Sequence, residues 1–446
     1  MTRRSLRRGS AALAGAALLA AAPFATTPAS AVTSNPLPGK THFYVPPAPD
    51  GAQKQIKRLR ADVRDRAAAL VNAEVKTPQA VWFTDGTPKQ VRKAVSKVSS
   101  QAAKKKAVPT LVVYNVPGRD CSQYSSGGAG SDAAYRAWVD GFAKGLKEKQ
   151  KVIVVVEPDG LTNLPADCPG AYPGQDVGTF PNPTPGTLTA GRIADIKYAG
   201  KVIRKANSKS LVYLDSGHSG WKSVSDATAR LTAAGVQKVQ GFSLNVSNYQ
   251  WTPNLSEYGT WISSCLALHP DAATKTPTDC GDQYYSGGPA NQNVGVALDP
   301  QQVWSGTATD PKANTAGIDS RYAAELTTAG VKPKAHFVVD TSRNGRGPWL
   351  PAAGTYANDA QVWCNPPERG LGERPKAHPT KDYPQLDAYL WIKTPGQSDG
   401  QCNRGVEGST TDPEWGGITD PAAGAWFGKQ ALQLARLAEP KLQPKR

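Results

Sequence analysis

A chain of 446 residues, 39% hydrophobic and 20% charged, can bury a large core and is too apolar for a disordered chain. Its formal charge of +16 raises nucleic acid as a partner. However, the basic residues are scattered along helical faces (Lys54, Lys57, Arg58 and Arg60; Lys89, Arg92, Lys93 and Lys97) with no nucleic-acid motif beside them, which reads as a solvated surface. Six cysteines without CxxC spacing and five unclustered histidines argue against a metal, and no cofactor is expected.

In chain order, Arg3, Arg4, Arg7 and Arg8 precede an apolar run over 11–22 and the small residues Ala29, Ser30 and Ala31, the pattern of an export signal over 1–31. Residues 2–6 also fit a twin-arginine signal. Removing those four arginines lowers the formal charge from +16 to +12. The expected location is secreted and extracellular, where Cys121, Cys168, Cys265, Cys280, Cys364 and Cys402 are expected to form three disulfides. No later apolar run is long enough to span a membrane.

After a Pro-rich lead over 35–49, a helix is predicted over 52–73. Strands follow at 80–83, 110–114, 151–156, 210–214, 239–244, 335–339 and 388–392, with helices between most of them, among them 131–147, 187–206, 223–234 and 318–329. Such alternation predicts an α/β fold, a parallel β/α sheet or barrel. With no internal repeat and no linker, one domain over 32–446 is expected, and a monomer.

The strongest strand is the β-branched run Val152 to Val156, which ends in Glu157, Pro158 and Asp159. An unbroken apolar run suits a strand covered on both faces, and Pro158 stops it because proline has no N–H for the ladder. Polar groups follow every predicted strand in turn: Asp85; Asp120; Glu157 and Asp159; Asp215 and His218; Asn245 and Asn248; Asp340, Arg343 and Asn344; Asp399. In a parallel sheet these gather on one rim, where α/β folds carry their chemistry. The same loops hold Tyr114, Tyr124, Trp221, Tyr249, Trp251, Trp363 and Trp391. Rings beside carboxyls and amides suit a sugar chain, whose C–H faces stack while its hydroxyls take hydrogen bonds.

Seven ordered stretches now resemble a known family: VYNVPGRDC at 113–121 continuing to SSGG at 125–128, VVEPD at 155–159, LDSGHSGW at 214–221, LNVSNY at 244–249, DTSRNG at 340–345, WCN at 363–365 and LWIK at 390–393. They are similar to glycoside hydrolase family 6, the cellulases, across nearly the whole mature chain. The resemblance implies a distorted seven-stranded β/α barrel and inverting hydrolysis of β-1,4-glucosidic bonds. It implies Asp159 as general acid, Asp120 as the carboxylate that tunes it and helps position water, Tyr114 under the distorted sugar and Ser126 beside the attacking water. Asp399 stands where the family's disputed base stands, roughly 6.5 to 9.5 Å across the cleft from the acid in an inverting enzyme. Asp215, Trp391 and Lys393 match further site positions, and His218, Trp221, Asn245, Asn248, Trp251 and Trp363 are taken as substrate-binding. The disulfides that the resemblance implies are Cys121 with Cys168 and Cys364 with Cys402, and Cys265 is expected to pair locally with Cys280 within the 261–319 segment.

Two departures stand out. Gln397 replaces the glutamate usual two residues before the presumed base, and a long polar segment over 261–319 reads as a surface insertion that could border the cleft. The 125–128 loop resembles bacterial endoglucanases, whereas the long 400–423 loop resembles cellobiohydrolases, so open cleft and roofed tunnel both remain. Besides cellulose hydrolysis, a non-catalytic carbohydrate-binding protein and a glucanase for mixed-linkage or substituted chains stay in view.

Overall fold

The computed structural model describes residues 37–273, 277–284 and 296–444, so the export segment lies outside the described residues. Its elements in order are α1 (Asp50–Ala61), α2 (Asp65–Val75), β1 (Val81–Phe83), α3 (Pro88–Lys104), β2 (Thr110–Val113), α4 (Asp132–Gly145), β3 (Val152–Val156), α5 (Leu188–Ala206) and β4 (Ser210–Asp215). These are followed by α6 (Val224–Ala233), β5 (Gly241–Leu244), α7 (Thr252–Leu268), α8 (Ala316–Ala329), β6 (His336–Asp340), β7 (Lys376–Ala377), β8 (Leu386–Leu390) and α9 (Gly428–Arg436).

All seven predicted strands form, and they pair in parallel in the order β1-β2-β3-β4-β5-β6-β8, with the unpredicted two-residue β7 antiparallel on the end. Val112 lies opposite Val155, and Val155 opposite Tyr213. The curl brings the two ends of the parallel series together through single contacts, not a ladder: Ala80 N–H donates to Trp391 O at 2.9 Å and Trp82 Nε1 to Ile392 O at 2.8 Å.

The unbroken apolar character of β3 follows from its two covered faces. Ile153 and Val155 point into the barrel with Val112, Leu211, Tyr213 and Leu390. Val152, Val154 and Val156 point outward against Phe142, Ile196 and Ile203 of the helix layer.

Where a single helix was expected over 52–73 there are two, because Val63 adopts a left-handed φ of 54° and breaks the ladder with no glycine or proline to announce it. The supposed insertion is also shorter than expected: α7 takes its first eight residues, 261–268, and α8 begins at Ala316. Since α7 is buried nearly all round, its sequence lacks the one-sided pattern that marks a surface helix. Residues 274–276 and 285–295 lie outside the described residues. All three disulfides form as expected, Cys121–Cys168, Cys265–Cys280 and Cys364–Cys402.

Candidate active site

At the carboxyl ends of the strands a cavity of about 420 Å³ is lined by Trp82, Tyr114, Asp120, Asp159, His218, Trp221, Asn248, Tyr249, Trp349, Trp363, Lys393 and Asp399 among others. The strand ends reach it through strained turns. Asp120, Cys121 and Ser122 have φ of 62°, 47° and 63°, Glu157 and Asp159 50° and 62°, and Asn245 and Ser247 66° and 63°. A left-handed backbone at non-glycine residues costs of order 1 to 3 kcal/mol each and persists only where surrounding contacts fix it.

Those contacts fall to the second carboxyl of the VVEPD turn and to Asp215. Glu157 turns away from the cavity, fully buried, and accepts the Asn115 N–H at 3.0 Å and the Val116 N–H at 3.1 Å, which ties the turn after β3 to the loop after β2. Asp215 accepts the Asp159 N–H at 2.9 Å and the Gly217 N–H at 3.2 Å on one oxygen and the Ser243 hydroxyl at 2.9 Å on the other. It holds Asp159 from beneath and is not on the cavity wall.

Asp159 itself keeps one carboxyl oxygen, Oδ1, buried and without a hydrogen-bond partner. Burial, then the charges of Asp215, Asp120 and Asp399, raise its pKa well above the ordinary carboxylate value, only partly opposed by Lys393. Asp120 accepts the Ser125 N–H at 2.6 Å, yet burial still lifts it to about 6. Tyr114 packs edge-on to Trp82 at 5.4 Å under the Arg119 guanidinium at 4.7 Å.

In the same cavity Asp399 meets the opposite environment. Arg343 clasps it with Nη1 to Oδ2 and Nη2 to Oδ1, both at 2.9 Å; the Tyr249 hydroxyl at 3.1 Å and the Asn365 N–H at 2.9 Å add to Oδ2, and Lys393 Nζ lies 3.0 Å from Oδ1. Burial pushes the carboxyl up, but Arg343 and Lys393 outweigh it and hold Asp399 at about 2. Arg343 is itself fully buried over the Tyr249 ring at 4.4 Å. The loop after β2 presses on this wall: Tyr124 accepts a hydrogen bond from Gln361 Nε2 at 3.2 Å and lies 6.0 Å from Trp363, and a β-carbon on Gly400 would come within 2.3 Å of Tyr124 Cβ.

Of the residues singled out from sequence, Tyr114, Asp120, Asp159, His218, Trp221, Asn248, Trp363, Lys393 and Asp399 share the cavity. Burial lowers His218 to about 4, so its ring is a neutral partner for Trp221 5.5 Å away. Others are corrected. Trp391 is 1% exposed and packs outward against Leu434 and Ala435 of α9, because Leu390 and Ile392 on either side of it face inward. Asn245 is buried and ties its own loop to Asp340 O at 2.8 Å. The Trp251 ring lies behind the wall, bonded to Gln301 O at 3.0 Å, and Gln397, joined to Trp426 by a backbone bridge, is not among the residues that line the cavity. Ser126 is exposed, and Ser125 is the serine of that loop that faces the cavity. Sequence reading passed over Trp82 and Trp349 as wall residues; Trp82 lies within the first predicted strand, one residue before its end.

The chain is 32% identical over 399 residues to Endoglucanase A of Cellulomonas fimi, covering 89% of this chain and 61% of that protein. It is 28% identical to a probable 1,4-beta-D-glucan cellobiohydrolase C of Aspergillus niger, over 94% of this chain and 80% of the relative. Its fold matches the endoglucanase Cel6 of Mycobacterium tuberculosis, solved with methyl-cellobiosyl-4-deoxy-4-thio-beta-D-cellobioside, with a TM-score of 0.61 and 29% identity over 91% of this chain and 99% of that one. A family model runs from residue 38 to residue 438, through every strand that feeds the cavity. On that match the chain belongs to Glycosyl hydrolases family 6.

Proposed function

We propose that this chain is an exported, inverting β-1,4-glucanase acting on cellulose or a related β-glucan, with residues 1–31 as its signal and 32–446 as its catalytic domain. The observation that carries the reading is the setting of Asp159: a buried carboxyl whose protonated form is favoured by burial and the neighbouring Asp215 and Asp120, one oxygen unbonded, in a cavity walled by Trp82, Tyr114, Trp221 and Trp363. A general acid must still carry its proton when substrate binds, and that environment supplies the condition. The relatives named endoglucanase and cellobiohydrolase, and the thio-cellobioside complex of the Mycobacterium tuberculosis protein, supply the substrate class. Three disulfides accord with export.

In this reading Asp159 protonates the glycosidic oxygen as the sugar above Tyr114 flattens, and water attacks from the opposite face. Asp399 is a poor direct acceptor for that water's proton. Five donors already crowd a carboxylate that has about four lone-pair sites, and at about 2 it is a weak base. Asp120, at about 6, is the better acceptor, so the proton leaves by way of water toward Asp120 while Asp399 stays ionised against Arg343 and Lys393. Reducing ends released from a panel of soluble and insoluble glucans, mixed-linkage chains included, test the activity. NMR of the first product anomer tests inversion: α-configured product is expected, and β product overturns it. Viscosity loss against reducing-end release decides between internal and terminal cleavage.

A further inference from the structure

None of the described residues between 261 and 319 lines the catalytic cavity, yet the segment grips two of the loops that do from behind. Gln283, 1% exposed, donates from Nε2 to Ser219 O and to Lys222 O, each at 2.9 Å. Those carbonyls bracket Gly220 and Trp221 on the cavity wall, with His218 just before them. The Lys222 carbonyl also accepts the Tyr258 hydroxyl of α7 at 2.9 Å, and the Cys265–Cys280 bridge fastens α7 to the strand of chain that carries Gln283. Farther along, Gln301 O accepts Trp251 Nε1 at 3.0 Å and Gln302 O accepts Asn254 Nδ2 at 2.9 Å, behind the loop that supplies Ser247, Asn248 and Tyr249.

We propose that Gln283 is a positioning residue for glucan binding: its amide fixes the 218–222 turn and thereby sets where the His218 and Trp221 rings meet the sugar chain. The proposal rests on the glucanase reading above. The chemistry of the contact is specific, because one neutral nitrogen with two N–H groups serves two buried carbonyls. A leucine would leave the Ser219 carbonyl unpaired and the Lys222 carbonyl with the Tyr258 hydroxyl alone, and an ionised glutamate would set acceptor against acceptor.

The test measures kcat and KM on cellohexaose, together with equilibrium binding of cellohexaose by tryptophan fluorescence in an Asp159→Asn background. Gln283→Leu is expected to raise KM and Kd about tenfold, the size of one lost buried hydrogen bond, while kcat stays within about twofold. Gln283→Glu has a pH signature: its protonated form donates one O–H to a carbonyl and its ionised form donates none, so its KM defect relative to wild type grows as pH rises. Should Gln283→Leu fail to fold, the glutamate variant at acidic and alkaline pH carries the test alone. An active variant with unchanged KM and Kd, or a loss of kcat that merely tracks the folded fraction, overturns the proposal. Wild-type inactivity on every β-1,4-glucan overturns the glucanase reading instead.

Discussion

Asp159 and Asp399 are two carboxyls of one cavity with opposite surroundings. Asp159 sits among Asp120 and Asp215 with one oxygen unbonded; Asp399 sits among Arg343, Lys393, Tyr249 and Asn365 with both oxygens saturated. Burial raises both, and neighbours decide the outcome: Asp159 stays well above 3.8, Asp399 falls to about 2. A carboxyl's chemistry in such a site is set by who donates to it, so identity alone does not mark acid or base.

The largest expected break of this contrast is Asp159→Asn, which should lower kcat by about 10² to 10⁴ or more while circular dichroism and oligosaccharide binding persist. Retention of a large share of activity would remove Asp159 from the acid role. Next, Arg343→Met strips the bidentate clasp from a buried carboxylate, and urea unfolding should register a loss of about 3 kcal/mol, with part recovered in the Arg343→Met/Asp399→Asn double variant. No recovery in the double variant would mean that Arg343 stabilises through packing over Tyr249.

The pH profile sharpens the comparison further. Asp159 is active when protonated, so kcat/KM should fall at the alkaline side as its raised pKa is passed; Asp120→Asn removes a neighbouring charge and should move that limb to lower pH. The stability linkages run in opposite senses. The raised pKa of Asp159 contributes stability that is complete below 3.8 and lost as pH rises through its folded value. The lowered pKa of Asp399 contributes about 2 kcal/mol that is present above 3.8 and lost as pH falls toward 2. The smallest effect concerns a carboxyl far from the cavity. Glu74 of α2 is fully buried, its two oxygens have no partner, and burial raises its pKa. Glu74→Gln should leave kcat/KM untouched and gain about 1 kcal/mol at alkaline pH, where the wild type must ionise or unfold around that group; equal melting temperatures across pH would refute it.

The strands were legible because residues buried on two faces leave continuous β-branched runs, and Asp120, Asp159 and Asp399 were legible from their fixed place after such runs. Trp391 was misread although parity could have told its direction: between inward Leu390 and Ile392 an intervening ring must point outward. The saturation of Asp399 was beyond sequence, since its donors come from three loops whose meeting depends on the curl of the whole sheet. The same holds for Gln283, which carries no motif and acts through carbonyls that every residue has.

The left-handed turns at Asp120, Glu157, Asp159, Asn245 and Ser247 set a limit on how this protein can be made hardier. Each keeps the backbone in a rarely occupied conformation at the rim, so the most accessible local stabilisation there is glycine, which relaxes the turn and deletes the side chain the turn exists to aim. Substitutions that tolerate the geometry, asparagine above all, preserve aim without relief. Thermal hardening of this chain therefore has to be sought away from the cavity, at sites such as Val63, where a left-handed φ of 54° serves no ligand and glycine could take it freely.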